Sequence, residues 1–394
     1  MPTYLTPGVY VHEVRSSPGA IEGVGTSTAA FVGKTPLSVA EDLNVPIAVN
    51  NWSEFRTRFV GEGGTHNDFS TAVYGFFDNG GSRCYIVNVG DGEITGPRQG
   101  LEALEAIDEV AIVAAPGRTD AESHEALISH CEKMHDRVAC LDGPADWDDA
   151  TTLTERKRAP SSKAKTKAAA ADASAGFQRP RASSYAAMYV PHLEVANLSG
   201  PGRVTIGPSG HMAGLWAHTD ATRGVHKAAA NVALRGVLDL SRHITKEEQG
   251  ALNPFGVNAI RSFRTGIKPW GARTLADATE SEYRYLPVRR SITAIAESVE
   301  EGTTWVVFEP NDALLHANIR AQVSAYLRRV WRSGALAGAS AEEAFFVKCD
   351  AETNPPEAVD AGEVRCLIGL APVKPAEFVI FEITQSRDSG ESAA

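Results

Sequence analysis

Gly207-Pro208-Ser209-Gly210-His211 is the stretch whose residue types come nearest to nucleophilic chemistry. A serine on a glycine-flanked turn beside a histidine could attack a carbonyl. The G-x-S-x-G spacing fails, however, because His211 stands where the last glycine belongs. No Gly-Lys-Ser/Thr follows, so the stretch is not a phosphate loop either. Gly23-Val24-Gly25 supplies two glycines of a dinucleotide fingerprint, lacks the third, and precedes a predicted strand rather than a helix. His130, Cys131 and His135 share one predicted helix. His130 and His135 are five positions apart and point about 140° away from each other, which does not suit two ligands of one metal. Asp146, Asp148 and Asp149 could gather a cation, but an acidic cluster at a helix N-terminus also complements the helix dipole. No carboxylate pair or Ser/His/Asp set assembles with any specificity. The expectation is a protein that is not an enzyme and uses no cofactor and no metal.

The bulk numbers narrow the class. With 394 residues, 43% hydrophobic and 22% charged, the chain has material for two or three soluble domains. The net charge of −11 argues against nucleic acid as a partner. Five widely spaced cysteines with no C-x-x-C read as reduced, mostly buried thiols of a protein made in a cytoplasm. Arg15 is the first basic residue and no apolar core follows Met1, so no secretory signal is expected. No apolar run reaches the ~18 residues of a membrane span, so no direct membrane insertion is expected.

These residues must be positioned by an alternation of strands and helices. Apolar runs predict strands at Thr26–Lys34, Cys84–Val89, Val110–Ala114, Val138–Leu141, Tyr185–Val190, Val257–Phe263, Thr304–Phe308, Phe345–Cys349 and Glu363–Ala371. Helical spacing marks Asn51–Phe59, capped by Asn51 or Ser53, Asp68–Phe77, Leu101–Ile107, Asp120–His135, Asp146–Arg158 and His211–His218. Tyr285–Glu300 reads as a strand followed by a helix. Asp312–Arg332 is the longest helix, started by Pro310-Asn311-Asp312 and stopped by Ser333-Gly334. Strand, helix and strand through Val110–Leu141 predict a parallel pair. Residues 159–184 are mostly Ala, Ser, Lys, Arg and Pro. Such a composition cannot bury enough apolar surface to order itself, so a disordered basic and Ala-rich insertion is expected.

The two ends are both strand-like. Glu377–Thr384 carries Phe378 and Ile380 on one face and Val379, Phe381 and Ile383 on the other. Tyr4–Val14 carries Val9 and Val11 on one face and Tyr10, His12 and Val14 on the other. Such runs can pair inside their own domain or with neighbouring subunits, and the pattern alone allows both. On the helix Asp312–Arg332, Leu315, Ile319, Val323, Tyr326 and Val330 form an apolar stripe, and Arg320, Arg328, Arg329 and Arg332 lie off it. That basic face is either solvated or a contact.

Several segments in one order resemble contractile tail sheath proteins. They are Thr6–Val14 (TPGVYVHEV), Gly23–Gly33 (GVGTSTAAFVG), Phe76–Val87 (FFDNGGSRCYIV), Pro208–Gly214 (PSGHMAG), Trp270–Leu275 (WGARTL), Val288–Arg290 (VRR), Phe308–Asn311 (FEPN), Ser333–Leu336 (SGAL) and Ala371–Phe378 (APVKPAEF). They span nearly the whole chain, apart from 159–184. The resemblance implies an α/β (α+β) fold in which both chain ends build an inner sheath domain, an α/β outer domain is inserted, and terminal β-arms extend. In this numbering it implies an N-terminal arm and linker at 1–24, the inserted domain at 25–299, the C-terminal inner domain at 300–375 and a C-terminal arm and tail at 376–394. It implies a sheath subunit, of a phage or of a phage-like injection device, that polymerises helically around an inner tube and contracts to a shorter, wider state. The partners implied are further copies of the chain, the inner tube protein, and baseplate and cap or terminator proteins. Assembly is implied to occur in a bacterial cytoplasm, in a particle that stays there or is released. Val9, Tyr10, Val11, His12, Val14, Phe378, Val379, Ile380, Phe381 and Ile383 then become arm residues, and Arg320, Arg328, Arg329 and Arg332 the tube contact. Ser16–Gly25 and Ala371–Pro375 become hinges. A non-contractile tail or capsid protein, or an α/β enzyme with an oligomerising tail, is the alternative.

Overall fold

The computed structural model describes residues 20–147, 149–154 and 179–380. An eight-stranded sheet carries most of the chain. Its strands are β1 (Ala29–Gly33), β2 (Ile47–Val49), β3 (Cys84–Asn88), β4 (Ile112–Ala114), β5 (Val138–Asp142), β6 (Ala186–Val190), β10 (Val257–Phe263) and β11 (Gly266–Pro269), in the order β11-β10-β6-β5-β4-β1-β3-β2. Neighbours from β10 to β3 are parallel, and the edge strands β2 and β11 are antiparallel. A parallel sheet is covered on both faces, so its strands are apolar throughout. Every residue of β1, β5 and β6 is buried. Phe31 faces one core and Ala30 and Val32 the other. Beside the sheet, β7 (Leu193–Ala196), β8 (Arg203–Ile206) and β9 (Val237–Leu240) form a small antiparallel sheet.

Helices α1 (Trp52–Phe59), α2 (Asp68–Asp78), α3 (Ala121–Met134), α4 (Ala150–Thr154), α5 (Ser209–Arg223) and α6 (Lys246–Leu252) accompany these sheets. Their starts follow side-chain capping, which satisfies otherwise orphaned N–H groups. Asn51 accepts from the Glu54 amide and Asp120 from the Ser123 amide. Helix α3 stops at His135 in the left-handed conformation.

A third core is built on α7 (Leu286–Gly302) and α8 (Ala313–Arg332), followed by α9 (Ala341–Ala344), β12 (Phe345–Lys348), α10 (Pro356–Asp360) and β13 (Leu367–Leu370). Leu315, Ile319, Val323, Tyr326 and Leu327 of α8 pack there with Phe345, Cys349, Ile295 and Ile21. Helix α7 reaches both regions, since Leu286 belongs to a core of the large sheet and Ile295 to the third core. The expected division at 299/300 therefore falls inside a continuous helix.

Four expectations differ from the structure. Thr304–Phe308 is not a strand: Thr304–Val306 form a 3-10 turn closed by Val306 N–H to Thr303 O at 2.9 Å. The β-branched residues favour strand, but among the described residues the segment has no strand partner to satisfy its amides. Before α7 the predicted strand shrinks to a single bridge between Tyr285 and Arg273, because Pro287 in the first turn already suits a helix start. Within 159–184, the described end is ordered rather than mobile. Ser183 and Ser184 are buried, and Arg181 pairs with Glu132 at 2.7 Å and Glu125 at 2.7 Å. Finally, the hinge segments are pinned at their described residues. Ile21 is buried, Val24 N–H donates to Ser298 Oγ at 3.0 Å, and Val373 N–H donates to Ala335 O at 3.1 Å.

Candidate assembly interface

Ser209 and His211 sit deep inside the protein. Ser209 is the first residue of α5, whose preceding residue, Pro208, makes no side-chain cap. Asp142 at the end of β5 replaces that cap: it accepts from the Ser209 amide at 2.7 Å and the Ser209 hydroxyl at 2.9 Å, and from Gly117 N–H at 2.9 Å. Burial pushes the Asp142 carboxyl up, and these donors oppose the shift. The hydroxyl is thus committed to a structural bond. His211 is wholly buried against α2, and desolvation lowers its pKa to about 4, so the ring is neutral. A Cβ at Gly75 would lie 2.2 Å from that ring. Cys131 packs in a core of the sheet, while the His135 ring lies 3.2 Å from Tyr185 Oη. Asp149 accepts from Thr151 N–H at 3.1 Å, and Asp148 lies outside the described residues.

The C-terminal segment is where apolar surface is left uncovered. It runs on from β13, bridges Pro372 to Leu336, and is then anchored at Glu377. Arg273 donates to both carboxylate oxygens of Glu377, at 2.9 and 2.6 Å; Asn253 adds a bond at 2.8 Å and Tyr285 one at 3.1 Å. Burial opposes charge on Glu377, but the guanidinium and the amide outweigh it and hold the carboxyl below its usual range. Beyond the anchor, residues 378–380 belong to no strand or helix and have no strand partner among the described residues. Phe378 is 72%, Val379 69% and Ile380 83% exposed. Next to it, Trp270, Ala272, Tyr285, Pro375 and Val379 help to line an open cavity of about 320 Å³. Phe381 and Ile383, and Val9, Tyr10, Val11, His12 and Val14 of the N-terminal run, lie outside the described residues.

Strands β12 and β13 form a two-stranded antiparallel sheet, so among the described residues each has one open edge. One face covers the third core. On the other, Phe346 and Leu367 are more than half exposed. A two-stranded ribbon is marginal alone and gains by adding strands.

The N-terminal strap 20–26 enters between α7 and α8. Arg329 donates to the carbonyl of buried Ile21. Two residues past Val24, the Thr26 carbonyl accepts from Arg290 at 2.8 Å, and Arg290 forks onto Asp220 at 3.0 and 2.7 Å. Thr26 Oγ1 donates to the same carboxylate at 2.7 Å. With side chains only 6% and 3% exposed, Arg290 and Asp220 form a buried pair that also binds the carbonyl and hydroxyl of Thr26. Sequence reasoning assigned Asp220 no role. Its signal was weak, since one acid at the end of a helix resembles any surface acid.

The four arginines of α8 divide. At about 100° per residue, Arg328 and Arg332 lie on the side opposite the buried stripe, and neither has an ion-pair partner among the described residues. Arg320 and Arg329 border the stripe and bind backbone carbonyls, Arg320 that of Cys349 at 2.7 Å and Arg329 that of Ile21. Just before α8, Val307 and Phe308 are exposed, Phe308 fully and with φ +70.

Comparison with known proteins agrees with this architecture along nearly its whole length. Two family profiles match: the phage tail sheath protein central domain over residues 92–275 and the phage tail sheath C-terminal domain over 278–386. The helical sheath of the anti-feeding prophage, solved in its contracted state, is 30% identical with a TM-score of 0.76, covering 98% of this chain and 100% of that one. The sheath complex of the extracellular contractile injection system PVC, also contracted, is 29% identical with a TM-score of 0.76, covering 98% and 99%. Among curated sequences, the major tail sheath protein of Serratia phage KSP20 is 28% identical over 172 residues, 42% of this chain and 41% of that protein. The matched segments include the pinned strap, the α/β sheet and the open two-stranded ribbon, and this chain belongs to the phage tail sheath protein family.

Proposed function

We propose that this chain is the repeating, non-enzymatic subunit of a contractile sheath, which polymerises helically around an inner tube and drives it by changing to a shorter, wider lattice. The observation that carries the reading is the pairing of two unmet needs in one chain. An apolar run leaves the Glu377 anchor exposed, and among the described residues the β12–β13 ribbon has open edges. A head-to-tail contact in which one copy's run fills another's edge repeats without closing, which is the geometry of a helical array. The N-terminal run through Val9, Tyr10, Val11, His12 and Val14 is the second strand offered to a neighbour. Because Ile21, Pro372 and Glu377 are tethered, the strap 20–26 and the segment up to Glu377 move with their own subunit.

In this reading the third core, 300–375 with the strap, faces the tube, and residues 25–299 form the outer part. Arg328 and Arg332 are the arginines free to meet an acidic tube surface. Exposed pairs of ~1 kcal/mol or less suit a contact that must release on contraction. Baseplate and cap proteins are the further partners, and assembly takes place in a bacterial cytoplasm. The bistable element is the lattice: two sets of interfaces differ in free energy, and repetition makes the change cooperative.

The test is expression of the full chain, of a chain lacking 1–14 and of a chain ending at Glu377, each with the tube protein encoded beside it. Electron microscopy should show striated tubes from the full chain, and folded monomers by circular dichroism from both truncations. Normal sheaths from either truncation would overturn the strand-exchange reading.

A further inference from the structure

Cys349 and Cys366 face each other one step beyond the last assigned pair of β12 and β13. The register runs from Phe345 opposite Leu370 to Lys348 opposite Leu367, and the next step places 349 opposite 366. The kind of pair follows from the other end of the ribbon. Ala371 N–H donates to Ala344 O at 2.9 Å, so 344/371 is a hydrogen-bonded pair and every second pair after it is too. That makes 349/366 a non-hydrogen-bonded pair, in which Cα atoms approach to about 4.5 Å. A disulfide spans roughly 4.4–6.8 Å between Cα atoms. Both side chains take the inward side, with Phe345 and Val347, in the third core. Cys349 is buried and Cys366 partly accessible. The two thiols are near enough to influence each other's acidity. Their backbones are clamped as well: Arg320 holds the Cys349 carbonyl at 2.7 Å, and Asn354 holds the Arg365 amide at 2.6 Å and its carbonyl at 3.0 Å. The remaining cysteines sit elsewhere, Cys84 and Cys140 in one core of the large sheet and Cys131 in the other.

We propose that Cys349 and Cys366 are a redox pair that closes to an intrachain disulfide when the subunit meets a low-molecular-weight disulfide such as oxidised glutathione, stapling β12 to β13. The accessible Cys366 thiol loses its proton and attacks the oxidant, forming a mixed disulfide and releasing one glutathione thiolate. Cys349 then loses its proton and attacks the Cys366 sulfur, expelling the second thiolate. Both thiolates take up the two protons, so two protein thiols are oxidised and one oxidant disulfide is reduced to two thiols. Burial pushes both thiols up, Cys366 to about 12, so the exchange is slow and the thiols persist in a thiol-rich compartment. The bond closes the loop 350–365 that carries α10. Its effect on a neighbour's arm rests on the ribbon being the acceptor sheet, as proposed above, whereas the bond itself does not.

The experiment uses the reduced full chain with excess oxidised glutathione at pH 8, followed by thiol titration under denaturing conditions and non-reducing peptide mass spectrometry. Free thiols should fall from five to three, one linked peptide should join Cys349 to Cys366, and dithiothreitol should reverse both. C366A should abolish the change while keeping the fold, since Cys366 is partly exposed. A count that stays at five while guanidine-unfolded chain oxidises would overturn the proposal. So would a glutathione adduct that stops at Cys366, or a bond between two subunits. If the linked peptide forms but the truncated chains still build sheaths, the assembly reading fails and this one stands.

Discussion

Arg273 and Glu377 lie 104 residues apart in the chain, yet the guanidinium donates to both carboxylate oxygens at 2.9 and 2.6 Å. The pair fastens the outgoing C-terminal segment to the loop after β11. A bidentate, partly buried pair of this kind fixes direction as well as position. E377A removes four hydrogen bonds to a charged group and frees Pro375–Ile380. It should lower subunit stability by about 2 kcal/mol, read by chemical denaturation, and should impair sheath assembly while leaving a folded monomer.

Charge should separate the roles of the α8 arginines. Arg328 and Arg332 lie opposite the buried stripe, so R328E/R332E should unfold at the same denaturant concentration as the parent. The same variant should fail to retain the tube in co-sedimentation. R329A should do the reverse, because Arg329 ties down the Ile21 carbonyl. A loss of about 1–2 kcal/mol with tube binding kept is expected there.

Glu297 on α7 makes stability depend on pH. Burial, and then the negative charges of Asp136 and Glu301, raise its pKa from 4.5 to about 8. A carboxyl with a raised folded-state pKa contributes stability that is complete below 4.5 and lost as pH climbs through about 8. Stability should therefore fall between those two values. E297Q should flatten this slope and gain about 1–2 kcal/mol at pH 8, a figure reduced for the side chain's residual contact with water. Denaturation midpoints measured from pH 5 to pH 9 test it.

Helices α2 and α5 touch through glycine. A Cβ on Gly210 would lie 2.2 Å from the Ala72 carbonyl oxygen, and one on Gly214 2.3 Å from that of Phe76. The obstacle is backbone, so it cannot rotate away. G210A should cost about 1–3 kcal/mol by overpacking, seen as a lower melting temperature without change in the other regions of the chain by hydrogen exchange.

Much of the fold was legible locally. Uninterrupted apolar runs at β1, β5 and β6 announced strands covered on both faces, and Asn51, Asp120 and Asp312 marked helix starts because a side-chain acceptor must meet free amides there. The candidate site was legible in part. Phe378, Val379 and Ile380 were marked by apolar residues on both faces, a surface one chain end cannot bury alone. The Arg273–Glu377 clamp and the Arg290–Asp220–Thr26 network were not, because each joins groups far apart in the chain.

By itself, the sequence determined the element order, the parallel α/β core and the apolar character of the terminal runs, since these follow from periodicity and capping within a few residues. Only the tertiary structure decided that Thr304–Val306 would turn rather than pair, that Asp142 would cap the helix that starts at Ser209, and that Arg320 and Arg329 would be spent on the subunit's own carbonyls. In each case the outcome depended on which partner the fold brought within hydrogen-bonding range, and propensity carries no information about a partner that lies tens or hundreds of residues away.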